Sequence, residues 1–358
     1  MPDREIDLAC LGWSEWFEER AGLHCRPGDD VARVAAVDRD QLLLVHPAGL
    51  FRAKMSGTYR YRHERAAEFP CVGDWVCVEK NPSDDFGLVH ALLDRKTILR
   101  RRSTGHSIGY QMIAANVDYV IIVQSCHYDF NLNRLERYLV MVTDGGAEPW
   151  VLLTKTDLVE PATLASQLAA IRAAGITAPV FTLSNVTREG VDELAGLLLP
   201  GRTYCFVGSS GVGKSTIINS LAGREMLETK GVSGTGEGRH TTVRRELIIL
   251  EGGALVIDNP GMREFGILGA DGGIGESFSD IGALAAGCRY RDCSHTSEPG
   301  CVVMNALKAG DIGQEHYDNY LKLKEESAFH QMSHAEKRKK DRDFGRYVKS
   351  AKKDMEKK

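Results

Sequence analysis

From Val31 to about Arg100, apolar residues alternate with polar ones in short runs interrupted by turn residues. Val31–Val37, Gln41–Val45, Gly49–Lys54, Gly73–Val78 and Gly87–Leu93 each read as a strand. Five strands in roughly seventy residues predict a small β-barrel, with the OB-fold as the leading architecture. Past Arg100 the rhythm changes. Val117–Val123 is a continuous apolar run of the kind found in a strand covered on both faces, and Asn133–Val142 has helical spacing. Strand and helix then alternate through Trp150–Leu153, Pro161–Ala174, Pro179–Phe181 and Val191–Leu199. Tyr204–Val207 is a further strand, opening through a glycine-rich turn into a helix, and Val243–Leu250 and Ala254–Ile257 pair as strands after it. Alternating β and α units predict a parallel sheet with helices on both faces. Beyond about Gly266 the pattern is helical and cysteine-bearing.

A chain of 358 residues is too long for one ordinary core, so a multidomain α/β architecture is expected. The divisions are an extension over 1–30 anchored by Trp13, Trp16 and Phe17, a barrel over 31–100, an α/β domain over 101–268, a cysteine-bearing helical domain over 269–335, and a basic tail over 336–358. Hydrophobic content of 43% and charged content of 26% are those of a globular protein. No apolar run approaches the ~18 residues of a membrane helix, and Met1–Glu5 lacks the order of a secretion signal. The expectation is a cytoplasmic protein with no membrane partner. Nine cysteines, with Cys10, Cys71, Cys77, Cys126 and Cys205 standing singly, suit reduced thiols better than a disulfide framework.

The net charge of −4 excludes a molecule that is basic overall, so any polyanion contact must be local. The barrel segment carries Arg52, Lys54, Arg60, Tyr61, Arg62, His63 and Arg65, a mixture suited to RNA phosphates and bases and equally to a solvated surface. Arg95–Ser103 reads as a basic hinge, with a connector following through Gln111. The tail holds eleven Lys and Arg against five Asp and Glu, a net of +6.

The chemistry concentrates in Gly208-Ser209-Ser210-Gly211-Val212-Gly213-Lys214-Ser215-Thr216, between a strand and a helix. Glycines there let backbone N–H groups curl around an anion, and the helix N-terminus adds partial positive charge. Lys214 can reach the β- and γ-phosphates of a nucleoside triphosphate, and Ser215 can ligate magnesium. Asp258-Asn259-Pro260-Gly261 ends a strand; its Asp can hold magnesium through water, and the Gly261 N–H can sense a γ-phosphate. Thr154-Lys155-Thr156-Asp157 follows another strand, where Asp157 can accept from the guanine N1–H and 2-amino group and Lys155 can lie over the base. Ser184, after the strand Pro179–Phe181, occupies the remaining base-contact position.

The motif order is unusual. Base-reading residues precede the phosphate loop, followed by His240-Thr241-Thr242 and then Asp258 to Gly261, so the domain is a circular permutation of an ordinary GTPase. With its barrel, the run Gly238-Arg239-His240-Thr241-Thr242 and a C-terminal cysteine cluster, the chain resembles the small ribosomal subunit biogenesis GTPase family, RsgA or YjeQ, from about Val31 to the tail. The resemblance implies an OB-fold β-barrel, a circularly permuted P-loop GTPase domain and a C-terminal helical zinc-binding domain. It implies GTP and GDP as ligands, and the 30S subunit with its 16S rRNA as partner in late maturation. Thr154 departs from the Asn usual at its position, so guanine preference is expected with lower affinity.

Cys288, Cys293, His295 and Cys301 put three thiols and one imidazole in fourteen residues, a complete tetrahedral set for structural zinc that the resemblance reinforces. Arg289, Tyr290 and Arg291 between these ligands offer an RNA-facing surface. Met262 stands where most GTPases carry a water-orienting Gln, and His240 is the available catalytic substitute. Thr241 or Thr242 should close on magnesium, and segment 262–287 should carry nucleotide state to the zinc domain. A monomer is expected. Two other readings remain open: an RNA-binding assembly factor using GTP only as a binding switch, and a P-loop kinase, against which Asp157 argues.

Overall fold

The computed structural model describes residues 7–39, 41–63, 65–80, 86–102, 110–223, 245–259 and 270–331. A 3₁₀ turn over Ala9–Leu11 leads into α1 (Glu15–His24). Trp13 meets Trp75 edge-on at 4.7 Å, and Phe17 packs on the same indole at 5.9 Å, so the extension is fixed by aromatic burial. Next come β1 (Asp30–Asp38), β2 (Gln41–His46), β3 (Gly49–Met55), α2 (Gly57–Arg62), β4 (Trp75–Lys80) and β5 (Phe86–Leu92). These strands order as β1-β2-β3-β5-β4, and β4 returns to β1 to close a barrel. Alternate residues of the strands, among them Val34, Leu44, Val76 and Val89, fill its interior with no solvent exposure.

Arg60, Tyr61 and Arg62 stand on α2, which Ser56 caps by accepting from the Tyr59 N–H at 3.2 Å. Two expectations for this half are corrected. The basic hinge is a hairpin, because β6 (Ile98–Arg102) pairs with β7 (Tyr110–Ala115). Arg95 is no solvated hinge residue either: its guanidinium is paired at 2.8 Å with the fully buried Asp74. Finally, Cys77 is not a lone thiol. The chain folds α1 back onto β4 and brings Cys25 against Cys77 across 52 residues, where they form a disulfide with Cα atoms 5.3 Å apart. The remaining seven cysteines are free.

The second half is built from β8 (Tyr119–Ser125), α3 (Leu132–Asp144), β9 (Glu148–Thr154), α4 (Pro161–Ala173), β10 (Val180–Leu183), α5 (Val191–Leu197), β11 (Thr203–Gly208), α6 (Lys214–Leu221), β12 (Glu246–Ile249) and β13 (Leu255–Asp258). The order is β10-β9-β8-β11-β13-β12, parallel except for β12. Val120–Val123, Val151–Leu153 and Tyr204–Val207 have no solvent exposure, as continuous apolar strands between two helical layers require. The barrel and this sheet form one eleven-stranded surface, joined where Ala36 of β1 faces Glu246 of β12.

Arg33 fastens the junction. Its buried guanidinium donates to the carbonyls of Leu11, Gly73 and Asn116 at 2.5, 3.1 and 2.8 Å, one each from the extension, the barrel and the approach to the parallel sheet. Burial lowers its pKa to about 10, against the opposing charges of Asp118 and Asp74. It remains a cation, each of its three nitrogens donating one hydrogen bond. Among the described residues no helix is long and apolar enough to cross a membrane.

The C-terminal helices are α7 (Asp271–Ser277), α8 (Ser279–Ala285), α9 (Val302–Ala309) and α10 (Gln314–Gln331). They dock on α3. A side chain at Gly273 would begin 2.3 Å from the Val140 carbonyl, so only glycine admits this contact. His316 of α10 lies buried between carboxylates, Nδ1 at 2.5 Å from Glu136 Oε1 of α3 and Nε2 at 3.1 Å from Asp280 Oδ2 of α8. Asn319 donates to the other Glu136 oxygen, and Phe278 lies against the imidazole at 4.9 Å. Burial alone would lower the His316 pKa, but Asp280 and Glu136 outweigh it and raise it to about 9. A folded-state pKa above the ordinary value of 6.5 gives a contribution present in full below that value and lost as pH rises through about 9. The melting temperature of the wild type should therefore fall between pH 6.5 and 9 more than that of His316→Leu. That variant, measured at pH 6.5 by calorimetry, should lose about 3 kcal/mol by leaving Glu136 buried without its cation.

Candidate functional site

The parallel sheet delivers the carboxyl ends of β8, β9, β10, β11 and β13 to one edge, through registers that set Gly208 beside Val123, Phe206 beside Asp258, and Thr154 between Ser125 and Leu183. This is the edge at which open α/β sheets bind ligands. Gly208 starts the phosphate loop at φ +143°, and a side chain there would begin 2.2 Å from the Val123 carbonyl oxygen. The loop runs past Ser209, Ser210, Gly211 and Val212 to Gly213, which precedes the first turn of α6, where Lys214, Ser215 and Thr216 stand.

Lys214 is 6% exposed and folds back over the loop, its ammonium donating to the carbonyls of Gly208 and Ser209 at 2.7 and 2.6 Å. Burial depresses its pKa to about 8, resisted by the charges of Asp258 and Asp129. Asp258 is buried at the end of β13, and among the described residues neither of its carboxylate oxygens accepts a hydrogen bond. Burial raises its pKa and the Lys214 charge opposes that rise. A buried carboxylate with unused lone pairs beside a phosphate loop fits a bound cation or its water shell.

The base-reading residues lie on a separate stretch of chain, and side-chain hydrogen bonds bring them to the loop. The Thr154 hydroxyl, buried at the end of β9, stands 2.7 Å from the Val212 carbonyl and 3.3 Å from that of Gln124. It has one proton, and the shorter contact takes it. Lys155 adopts the left-handed conformation at φ +59°, which turns the chain into a 3₁₀ turn over Thr156, Asp157 and Leu158. Ser184 donates to Asp157 Oδ1 at 2.6 Å while accepting from the N–H groups of Val186 and Thr187 at 3.2 and 3.1 Å. Asp157 is thereby aimed, its Oδ1 held by Ser184. Asn185 Nδ2 would lie 3.3 Å from a side-chain carbon at Gly213. The stretch read as base-contacting and the loop read as phosphate-contacting are thus tied together by the Thr154–Val212 hydrogen bond.

Sequence reasoning passed over the loop after β8. Gln124 and Asn131 pinch its ends through reciprocal bonds, Gln124 Nε2 to the Asn131 carbonyl and Asn131 N–H to Gln124 Oε1, each 3.1 Å. Tyr128 at its tip accepts from Lys155 Nζ at 3.1 Å. An aromatic placed just after a buried strand is the signal in the sequence, but such residues are common. His240, Thr241, Thr242 and Gly261, like Met262 and the tail 336–358, lie outside the described residues.

A second site forms in the C-terminal helices. Around a tetrahedral ion with metal–sulfur bonds of about 2.3 Å, neighbouring ligand atoms stand about 3.8 Å apart. Cys288 Sγ and Cys301 Sγ are 3.9 Å apart, and each is 3.6 Å from His295 Nδ1. With Cys293 the four ligand atoms all lie within 4.8 Å of one another, a Cys₃His cradle for a metal ion. The Val302 N–H donates to Cys288 Sγ at 3.4 Å, which favours the Cys288 thiolate, and the Met304 N–H donates to Cys301 Sγ at the same distance. Tyr317 holds the His295 carbonyl at 2.6 Å. Arg289 lies over Tyr290, which is 42% exposed on the outer side of the cradle.

Residues 92–268 match the sequence model of the RsgA GTPase. A small ribosomal subunit biogenesis GTPase RsgA 2 of Listeria monocytogenes serotype 4b is 40% identical over 326 residues, covering 91% of this chain and 90% of that protein. Among solved structures, YjeQ from Thermotoga maritima superimposes with a TM-score of 0.63 at 24% identity, covering 82% of this chain and 97% of its own. YloQ, described as a circularly permuted GTPase, gives 0.62 at 23% identity, with coverage of 86% and 97%.

The Thr154–Val212 contact is testable alone. Thr154→Val keeps the shape and strands the Val212 carbonyl, so GDP affinity measured by titration calorimetry should fall about tenfold, the worth of one lost hydrogen bond at about 1.4 kcal/mol.

Proposed function

The chain belongs to the RsgA GTPase family, and from that premise we propose that it binds GTP at the carboxyl edge of its parallel sheet and hydrolyses it on the small ribosomal subunit during late maturation. The observation that supports this reading is the hydrogen bond from Thr154, which opens the Thr154–Asp157 stretch, to the Val212 carbonyl of the phosphate loop, with Ser184 holding Asp157 on the same stretch. The N–H groups from Gly208 to Thr216 cradle the α- and β-phosphates. Lys214 leaves its two carbonyls for the β- and γ-oxygens, and the incoming negative charge restores its full protonation. Asp157 Oδ2 accepts from guanine, and the Lys155 stem covers the base.

Ser215, Asp258 and Thr241 or Thr242 would hold magnesium, which supplies neutralisation of phosphate charge. Gly261 would sense the γ-phosphate. His240 would orient the attacking water, since Met262 has no hydrogen-bonding group for that task. The carbonyl acceptors already spent on Lys214 make the phosphate loop compact before nucleotide arrives, and intrinsic turnover would be slow until the subunit completes the switch.

The Cys₃His cradle would hold zinc, which supplies a structural cross-link and has no open position for chemistry. Tyr61, 89% exposed on α2, and the Arg289–Tyr290 pair would meet 16S rRNA, with the basic tail adding phosphate contacts. The protein would work as a cytoplasmic monomer, without a membrane partner. The switch-only reading draws on Met262 and predicts negligible turnover.

Phosphate release measured with 30S subunits, 50S subunits and neither should be stimulated by 30S alone. Stimulation should be lost in His240→Ala; intact stimulation would remove His240 from this role, and no release under any condition would favour the switch. Chelation at neutral pH should release one zinc per chain, measured by plasma mass spectrometry. Helices α8 to α10 should then lose amide protection in hydrogen exchange while the parallel sheet keeps it.

A further inference from the structure

We propose that Tyr128 is a positioning residue of the nucleotide site, holding the Lys155 side chain over the guanine position and thereby setting how long nucleotide is retained. The inference rests on the guanine-nucleotide reading above. Tyr128 is 66% exposed, a state in which a tyrosine usually points its hydroxyl at water. Here the hydroxyl instead accepts from Lys155 Nζ at 3.1 Å, and the same ammonium lies 5.0 Å from the ring centroid. The ammonium stands outward of the hydroxyl and off the ring face, so what Tyr128 offers Lys155 is the phenolic acceptor. The hydroxyl also stands 4.0 Å from where a side chain at Gly211 would begin, so Tyr128 spans from the base-reading loop to the phosphate loop.

The tyrosine is presented on a braced loop. Besides the Gln124–Asn131 pinch, Ser125 Oγ accepts from the His127 N–H at 3.3 Å and Gln167 Nε2 donates to the Cys126 carbonyl at 2.7 Å. Arg134 pairs with the Asp129 carboxylate at 2.8 Å, and the His127 ring abuts Tyr128 at 5.3 Å. The Lys155 backbone is equally committed by its left-handed turn. Its four-carbon stem is the remaining freedom, and a lysine stem has much rotamer entropy to lose when a base packs on it. A partner that restrains the ammonium beforehand removes part of that loss, which is preorganisation. Once guanine is seated, the same contact ties the stem down against release.

The test uses the full chain and the release rate of a fluorescent mant-GDP. Tyr128→Ala should release it about fivefold to tenfold faster, and Tyr128→Phe, which keeps the ring and loses the acceptor, nearly as fast as Tyr128→Ala. In a Lys155→Ala background, Tyr128→Ala should add nothing, because the tyrosine acts through that lysine. A merely structural tyrosine would not give this non-additivity. Unchanged release from Tyr128→Ala, or fully additive effects of the two substitutions, would overturn the proposal while leaving the guanine-nucleotide site standing. Failure of the wild type itself to bind mant-GDP, or its equal displacement by ATP and GTP, would overturn the underlying reading and this proposal with it.

Discussion

One hydroxyl proton joins the two halves of the nucleotide site. Thr154 closes β9 and, through its bond to the Val212 carbonyl, fastens the base-reading loop to the phosphate loop 58 residues further along the chain. Buried polar groups are costly unless paired, so the position of each loop is defined by the other. The two loops lie 58 residues apart, so their alignment depends on how the sheet packs and not on adjacency along the chain. Parallel pairing of β8 with both β9 and β11 supplies the scaffold, and the side chains supply the register.

Helix α3 links this site to the remainder of the molecule. Its N-terminal end is capped by Asn131, the residue that also pinches the Tyr128 loop, and its middle carries Glu136 and Arg137, which pair with His316 and Glu326 of α10. The loop that carries Tyr128 and the C-terminal helices thus share one element, α3. Within the expected route 262–287, α7 (Asp271–Ser277) packs directly on α3 through Gly273. Arg33 does the corresponding work at the barrel, satisfying three carbonyls from three parts of the chain.

The sequence by itself determined the elements and the chemistry. Period-two alternation marked the barrel strands, continuous apolar runs marked β8, β9 and β11, and the glycine spacing before Lys214 marked the phosphate loop, since each follows from local backbone geometry. The Cys₃His set was legible because its ligands fall within fourteen residues. What only the tertiary structure decided were the contacts between distant segments: Cys25 with Cys77, the Arg95–Asp74 pair inside a supposed hinge, the His316–Glu136 link, and Tyr128 over Lys155. Their partners lie 21 to 180 residues apart. Local spacing encodes turns, faces and ligand sets, whereas the meeting of remote side chains depends on how helices and sheets pack, and no period along the chain records it.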